Sequence, residues 1–157
     1  VVKVEKLVSN QWELKKNKHR VIDIVDHSVD MLLLKDTSRI EVRADAEISA
    51  VEVDFELYAT GVKNLIDNAL KYSSDKKVRI ICDENKVSVA NRGAALAKSF
   101  EHYKQAFIRN KDEKATGMGL GLYIIDKICE LHKFRFEYNY SDGTHYFSIV
   151  FSPKGAM

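Results

Sequence analysis

Between Asp54 and Ser73 the chain reads DFELYATGVKNLIDNALKYS, and no other stretch narrows the possible folds as much. Tyr58, Val62, Leu65, Ile66, Ala69 and Leu70 recur at helical spacing. That predicts a helix starting near Asp54, a reasonable N-cap, and ending near Ser73, with one face buried. Asn64, Asn68 and Lys71 interrupt the apolar run. Asparagine is a mediocre helix former whose side chain competes for backbone hydrogen bonds, so two of them one turn apart need a reason. At about 100° per residue, Asn68 lies about 40° round the helix from Asn64, and Lys71 about 20° to the other side. All three share one narrow stripe. Two amide oxygens a turn apart can face a hard cation or its water shell without adding negative charge, and a lysine beyond them can meet a phosphate. Tyr72, beside the stripe, can lie against a base or simply pack. The competing reading is a solvated helix face.

The other elements suit a helix that must bury one side. Val21, Ile24, Val25, Val29, Leu32 and Leu33 mark an amphipathic helix from about 20 to 34. RIEVRA (39–44) and ISAVEV (48–53) have the alternation and β-branching of strands. KVRIICDENKVSVAN reads as a hairpin turning at Asp83–Asn85, and RFEYNY with THYFSIVF as a second one around Asp142–Gly143. A short helix is expected around Lys98–Tyr103, then a polar loop through RNKDEKAT, of the length that is usually functional or mobile. Val1–Lys18 is polar with scattered apolar residues and reads as an exposed helix. Helices and antiparallel hairpins segregate, which predicts an α/β sandwich with helices on one face of a mixed sheet.

Composition excludes some functions. The 157 residues suffice for one compact domain, and 45% hydrophobic with 31% charged residues argues against extensive disorder. Lysine plus arginine (25) nearly balances aspartate plus glutamate (23), a net charge of +2 that leaves no nucleic-acid footprint. Cys82 and Cys129 have neither C-x-x-C nor metal-ligand spacing and are expected to be buried free thiols. No apolar run approaches the ~18 residues of a membrane span, and no signal peptide is visible. A start on Val1 rather than methionine fits a piece of a longer chain.

Thr116-Gly117-Met118-Gly119-Leu120-Gly121-Leu122 runs straight into a helix. Such glycines let backbone pass close to a ligand, and a helix N-terminus favours anions, so a phosphate cradle is the functional reading. The bland reading is a hinge or a close-packed helix. It is not a Walker A loop, which needs Gly-Lys-Ser/Thr. The dinucleotide fingerprint fails too, because position 122 is Leu and a polar loop rather than a strand precedes it.

Together, N-x-x-x-N-A-x-K-Y-S from Asn64 and, about fifty residues on, G-x-G-L-G-L opening a helix resemble the catalytic, ATP-binding domain of bacterial sensor histidine kinases. These belong to the GHKL superfamily with gyrase, MutL and the 90-kDa heat-shock chaperone. The resemblance runs from about residue 19 to 153. It implies a Bergerat-type α/β sandwich: a mixed, largely antiparallel sheet, helices on one face and a mobile ATP lid. It also implies that residues 1–18 end a linker helix from a missing dimerisation and phosphoacceptor domain, with 19–157 the catalytic domain.

The same resemblance implies residue roles. Asn68 would bind Mg²⁺ and through it the phosphates, with Asn64 helping. Lys71 would contact the phosphates and Tyr72 would stack by the adenine. AFIR resembles the family's phenylalanine box, placing Phe107 as lid anchor and Arg109 near the γ-phosphate. Gly117, Gly119 and Gly121, with Met118, Leu120 and Leu122 between and after them, would form the phosphate-covering loop. Asn91-Arg92-Gly93-Ala94-Ala95-Leu96 stands where the family has Asp-x-Gly-x-Gly, which puts Asn91, Gly93 and Leu96 at the adenine. Asn91 can still accept from the adenine amine, without a carboxylate's charge assistance, and Ala95 restricts the backbone where a second glycine is usual. Adenine binding is therefore expected to survive in weakened form, drift toward poor nucleotide binding being the alternative.

GHKL ATPases carry a water-activating glutamate at the position of Asn64, so asparagine there favours phosphoryl transfer over hydrolysis. None of His19, His27, His102, His132 or His145 has a phosphoacceptor's neighbours, and each reads as a surface or packing residue. The implied protein-histidine kinase would use ATP and Mg²⁺, pass the phosphoryl group to its upstream domain and serve a response regulator. It would bind no nucleic acid, and this chain would not itself insert in a membrane. It would form the cytoplasmic part of an inner-membrane sensor kinase. Two other readings remain open: a non-catalytic nucleotide-sensing or partner-binding module on the same fold, and a free-standing GHKL ATPase.

Overall fold

The computed structural model describes residues 4–9, 11–44, 50–109 and 117–151, with 105–109 and 117–121 described by their backbone. In chain order the elements are α1 (Val4–Val8), β1 (Lys16–Arg20), α2 (Val21–Met31), β2 (Ile40–Ala44), β3 (Ala50–Asp54), α3 (Phe55–Tyr72), β4 (Val78–Cys82), β5 (Lys86–Arg92), α4 (Phe100–Arg109), α5 (Gly117–His132), β6 (Arg135–Ser141) and β7 (Thr144–Val150).

Strands β2-β4-β5-β7-β6 form one sheet in that order, and β1 pairs with β3 in a separate two-stranded ribbon. Among the described residues only β2 against β4 is parallel, and the other pairs are antiparallel. Side chains alternate across strands, so Ile80, Val89 and Phe147 fall in one row on one face, and Cys82, Val87 and Ile149 in the next. These six pack in one core cluster with Val21, Ile24 and Val25 of α2, Val62, Leu65, Ile66 and Ala69 of α3, and Leu122, Ile125 and Cys129 of α5. The helices therefore cover one face of a mixed, largely antiparallel sheet. On the other face small side chains meet, the Ser88 and Ser148 hydroxyls 2.7 Å apart.

Both hairpins form where expected. The second turns through Asp142 (φ 50°) and Gly143 (φ 74°), the two left-handed residues of a type I′ connection. Other boundaries move. The helix expected over Val1–Lys18 is five residues long among the described residues, and Leu7 is fully buried against Leu57, Ile124 and Ile128 instead of exposed. Lys16–Arg20 is a strand that its polar composition hides, because β3 supplies the ladder and Phe55 packs on His19 at 4.8 Å. Helix α2 stops at Met31, followed by Leu33 in left-handed backbone (φ 53°). Helix α4 continues past Tyr103 to Arg109, and the glycines from Gly117 lie inside the opening turns of α5 rather than in a loop before it. Residues 110–116 of the expected loop lie outside the described residues.

Asp54 is the N-cap read from the sequence, and it does more than cap. Its Oδ1 accepts from Leu57 N (3.2 Å), while Oδ2 accepts from the Trp12 indole (3.1 Å) and from Lys15 N (3.2 Å). Its own backbone N–H donates to His132 Nε2 (3.0 Å), at the far end of α5. The other ring nitrogen of His132 lies 2.8 Å from the Ile128 carbonyl, which can only accept. Hence Nδ1 carries the hydrogen and the imidazole is neutral. Burial, with Lys16 adding to it, pushes the His132 pKa below its ordinary 6.5. The unfolded chain binds this proton near pH 6.5 and the folded chain does so only at lower pH, so His132's contribution to stability is complete above about pH 6.5 and declines below it. Denaturant melts between pH 7 and 5 should show stability falling, by up to about 1.4 kcal/mol per pH unit from this group, and His132→Gln should flatten that slope.

The buried cysteines are free, as expected, and burial pushes Cys82 up to about 11 and Cys129 higher. Tyr58 lies with them in the core, its ring 5.8 Å from Phe151 and 6.1 Å from Phe134. Its hydroxyl is buried with no hydrogen-bond partner. An orphaned buried hydroxyl costs about 1–3 kcal/mol. Tyr58→Phe removes only that oxygen, and thermal or denaturant unfolding should report a protein more stable by about 1 kcal/mol.

Candidate functional site

Helix α3 presents the polar stripe at the end away from Asp54. Asn64 is half-buried, Asn68 is 6% exposed, and Lys71 and Tyr72 are exposed. The apolar face explains this: Leu65, Ile66 and Ala69 are held in the core, so the neighbouring edge is carried partly under cover. Asn68 is the informative member, because its Nδ2 is buried without a hydrogen-bond partner. A polar group held in that state costs folding energy, which is expected where a ligand completes it. Lys71 pairs with Asp67 at 3.2 Å, and both side chains are largely exposed. Such a pair contributes only about 0.2–0.5 kcal/mol on a helix surface, so Lys71 is cheaply released to another anion.

Helix α3 ends against the tail of β5. The Ser73 hydroxyl accepts from Lys77 N at 3.1 Å and Ser74 N donates to Arg92 O at 2.9 Å. A Cβ on Gly93 would lie 3.3 Å from the Tyr72 carbonyl. Tyr72 and Gly93 are thereby neighbours, with Asn91 two residues before Gly93 at the end of β5. Asn91 shares the helix-side parity of Val87 and Val89, is 4% exposed, and donates from Nδ2 to Arg92 O at 3.2 Å. That bond orients the amide and leaves Oδ1 as its acceptor. Leu96 is half-buried in the segment between β5 and α4.

Gly117, Met118, Gly119 and Leu120 occupy the first turn of α5, whose N–H groups have no partners within the helix. Gly121 follows them, and Leu122 is fully buried in the core. Phe107 and Arg109 belong to the last turn of α4, and their side chains lie outside what is described. One link between these helices was not anticipated. Lys104 lies 3.5 Å from Asp126 and 3.0 Å from Glu101, with its ammonium 4.9 Å from the centre of the Phe100 ring. Burial raises the Asp126 pKa against the opposing pull of Lys104. Phe100 in turn stacks on Tyr138 at 5.2 Å. A Lys–Asp pair 22 residues apart leaves no mark in local sequence, which is why it escaped notice.

A two-layer α/β sandwich with a polar helix edge, a strand-end amide and a helix opened by glycines defines a nucleotide-binding class of domain. A family model described as "Histidine kinase-, DNA gyrase B-, and HSP90-like ATPase" matches residues 53–155, and the chain belongs to that family. The chain's relatives within it include sensor histidine kinases. It is 33% identical over 148 residues to the sensor histidine kinase ArsS of Helicobacter pylori, covering 94% of this chain and 35% of that protein. Against the sensor protein QseC of Escherichia coli K12 it is 27% identical over 121 residues, covering 74% and 27%. It thus spans 35% or less of the length of these curated relatives. Among solved structures, Acinetobacter baumannii histidine kinase AdeS superposes with a TM-score of 0.71 at 20% identity, over 95% of this chain and 73% of that one. The catalytic domain of histidine kinase ThkA gives 0.67 at 22%, over 89% and 98%. The expected Bergerat-type fold is the observed one. Among the described residues no helix is long and apolar enough to cross a membrane.

Gly93 tests the junction of α3 and β5. An added methyl at 3.3 Å from backbone oxygen must displace one of two anchored segments. Gly93→Ala should lower unfolding stability by about 1 kcal/mol or more, read by denaturant titration.

Proposed function

We propose that this chain binds Mg²⁺–ATP with residues from α3, the end of β5 and the opening of α5, and donates the γ-phosphoryl group to a histidine on a neighbouring dimerisation domain. The observation that carries this reading is the buried Asn68 Nδ2, an N–H donor without a partner that a nucleotide phosphate oxygen would complete, one helical turn from Asn64. No three acidic, histidine or cysteine residues converge on an ion among the described residues. The donor set that fits a magnesium ion here is thus amide oxygen from Asn68, with Asn64 beside it, completed by water and the nucleotide's own phosphates. Bound there, the ion would neutralise charge on those phosphates. Lys71 leaves its weak pair with Asp67 for a phosphate, and Arg109 serves the γ-phosphate. Backbone N–H groups of Gly117, Met118, Gly119 and Leu120 face the same anion, with Gly121 and Leu122 anchoring the turn behind them. Asn91 accepts from the adenine amine, Gly93 admits the base beside Tyr72, and Leu96 borders it.

In the transfer itself, a ring nitrogen of the acceptor histidine forms the new N–P bond. The bond between the γ-phosphorus and the bridging oxygen breaks, ADP leaves with that electron pair, and the imidazole loses its ring proton. The contribution of the protein is positioning and charge neutralisation. Asn64 provides no base for water, which favours the histidine acceptor over hydrolysis. The acceptor domain lies upstream, and residues 1–18 lead from it into the catalytic domain, on which Leu7, Trp12 and Lys15 already pack. A response regulator receives the phosphoryl group, and the assembly works on the cytoplasmic side of the inner membrane as part of a sensor kinase.

Calorimetric titration with ADP and a non-hydrolysable ATP analogue, with and without Mg²⁺, tests the site. Micromolar, Mg²⁺-sensitive binding is the expected result. Asn68→Ala should keep its circular dichroism while losing Mg²⁺-dependent affinity by at least about tenfold (~1.4 kcal/mol). An Asn68→Ala protein that binds Mg²⁺–nucleotide like the wild type would overturn the metal assignment.

A further inference from the structure

Three consecutive backbone carbonyls follow Asn91, and each is engaged by a donor from a different element. Arg92 O accepts from Ser74 N at 2.9 Å and from the Asn91 amide at 3.2 Å. Gly93 O accepts from the Tyr140 hydroxyl at 2.9 Å. Ala94 O lies 2.8 Å from His145 Nε2, and since a carbonyl can only accept, that nitrogen carries the hydrogen. His145 Nδ1 lies 2.7 Å from the Tyr138 hydroxyl, which can donate to it. Gly93 N closes the set by donating to Gly143 O at 3.0 Å. His145 is 6% exposed, opposite Asn91 in the β5–β7 ladder, with the Tyr140 ring 4.6 Å and the Tyr138 ring 5.8 Å away. An imidazole bonded at both nitrogens and walled by tyrosines is a rigid strut.

We propose that His145 is a positioning residue for the nucleotide site, holding the Gly93–Ala94 backbone so that Asn91 keeps its amide oxygen turned to the base. This rests on the nucleotide reading given above. Two consequences follow from the hydrogen-bond count. The carbonyls of Arg92, Gly93 and Ala94 are each held by a donor from the fold, and among residues 91–96 Asn91 Oδ1 is the side-chain acceptor offered to a base. An acceptor rewards an exocyclic amine and penalises a ring carbonyl, so the strut supports selection of adenine over hypoxanthine. The second concerns Ala95, which stands where the family has glycine. Donors from β6 and β7 fix this loop from outside, so its geometry does not depend on a second glycine.

The test compares binding of ADP and inosine diphosphate by wild type, His145→Phe, His145→Gln and Tyr140→Phe. Phenylalanine keeps the ring packing and removes both bonds. It should weaken ADP by about tenfold and bring the two nucleotides closer in affinity. The side-chain amide of glutamine can still donate to Ala94 O and should restore ADP affinity to within about threefold of wild type. Tyr140→Phe, which removes one hydroxyl from a partly exposed ring, should shift the ADP to inosine diphosphate ratio in the same direction. Because it leaves the core untouched, it decides the matter if His145→Phe fails to fold. Wild-type affinity and selectivity in a folded His145→Phe protein, or in Tyr140→Phe should that one not fold, overturn the positioning role while the nucleotide site stands. If the wild type binds neither nucleotide, the site reading falls and this inference with it.

Discussion

Asp54 joins three parts of the molecule through one carboxylate and one peptide N–H. Burying it is affordable because its acceptor capacity is met by Leu57 N, Lys15 N and the Trp12 indole, and because it sits at the positive end of α3. An N-cap alone contributes about 1 kcal/mol. Here the same residue fastens the segment before β1 to the helix that carries the Asn64–Asn68 stripe, and fastens both to the end of α5 through His132. Leu7, Leu57, Ile124 and Ile128 continue that contact as an apolar seam between α1, α3 and α5. The polar stripe keeps its place because the helix beneath it is anchored at both ends: by Asp54 at the start and by the Ser73–Ser74 turn against β5 at the finish.

The described part of the site combines unequal degrees of satisfaction. After Asn91 the carbonyls of Arg92, Gly93 and Ala94 each accept a hydrogen bond, those of Gly93 and Ala94 from side chains of β6 and β7. On α3, by contrast, Asn68 keeps an unmet amide and Lys71 keeps a weak surface partner. That division suits the proposed nucleotide site, which would be rigid beside the base and open to completion beside the phosphates. Preorganisation of the first kind lowers the entropy lost on binding, and unmet polar capacity of the second kind is what a charged ligand repays.

Legibility in the sequence followed the range of the contacts. Asp54 as a cap, α3 with its stripe, and the hairpins at Asp83–Asn85 and Asp142–Gly143 were readable because spacing and turn chemistry act over a few residues. Strand β1 was not, because KNKHR has no alternation and becomes a strand only by pairing with β3. The exposed helix expected at the start fails for a similar reason, since Leu7 is claimed by α5 more than a hundred residues away. The glycines at 117–121 permitted either loop or helix, and their setting in α5 chose helix.

Local pattern therefore determined which residues could form a stripe, a cap and a tight turn, and resemblance in two motifs named the family. Tertiary structure alone decided which polar groups would be satisfied. His145 and His132 look alike in sequence, both plausible packing residues, yet one braces the loop after β5 and the other receives the N–H of Asp54. Lys104 looks like any surface lysine until Asp126 is brought to 3.5 Å. Hydrogen bonds and ion pairs act over about 3–4 Å, and separations of 22 to 78 residues become such distances only when the sheet and helices have been packed together.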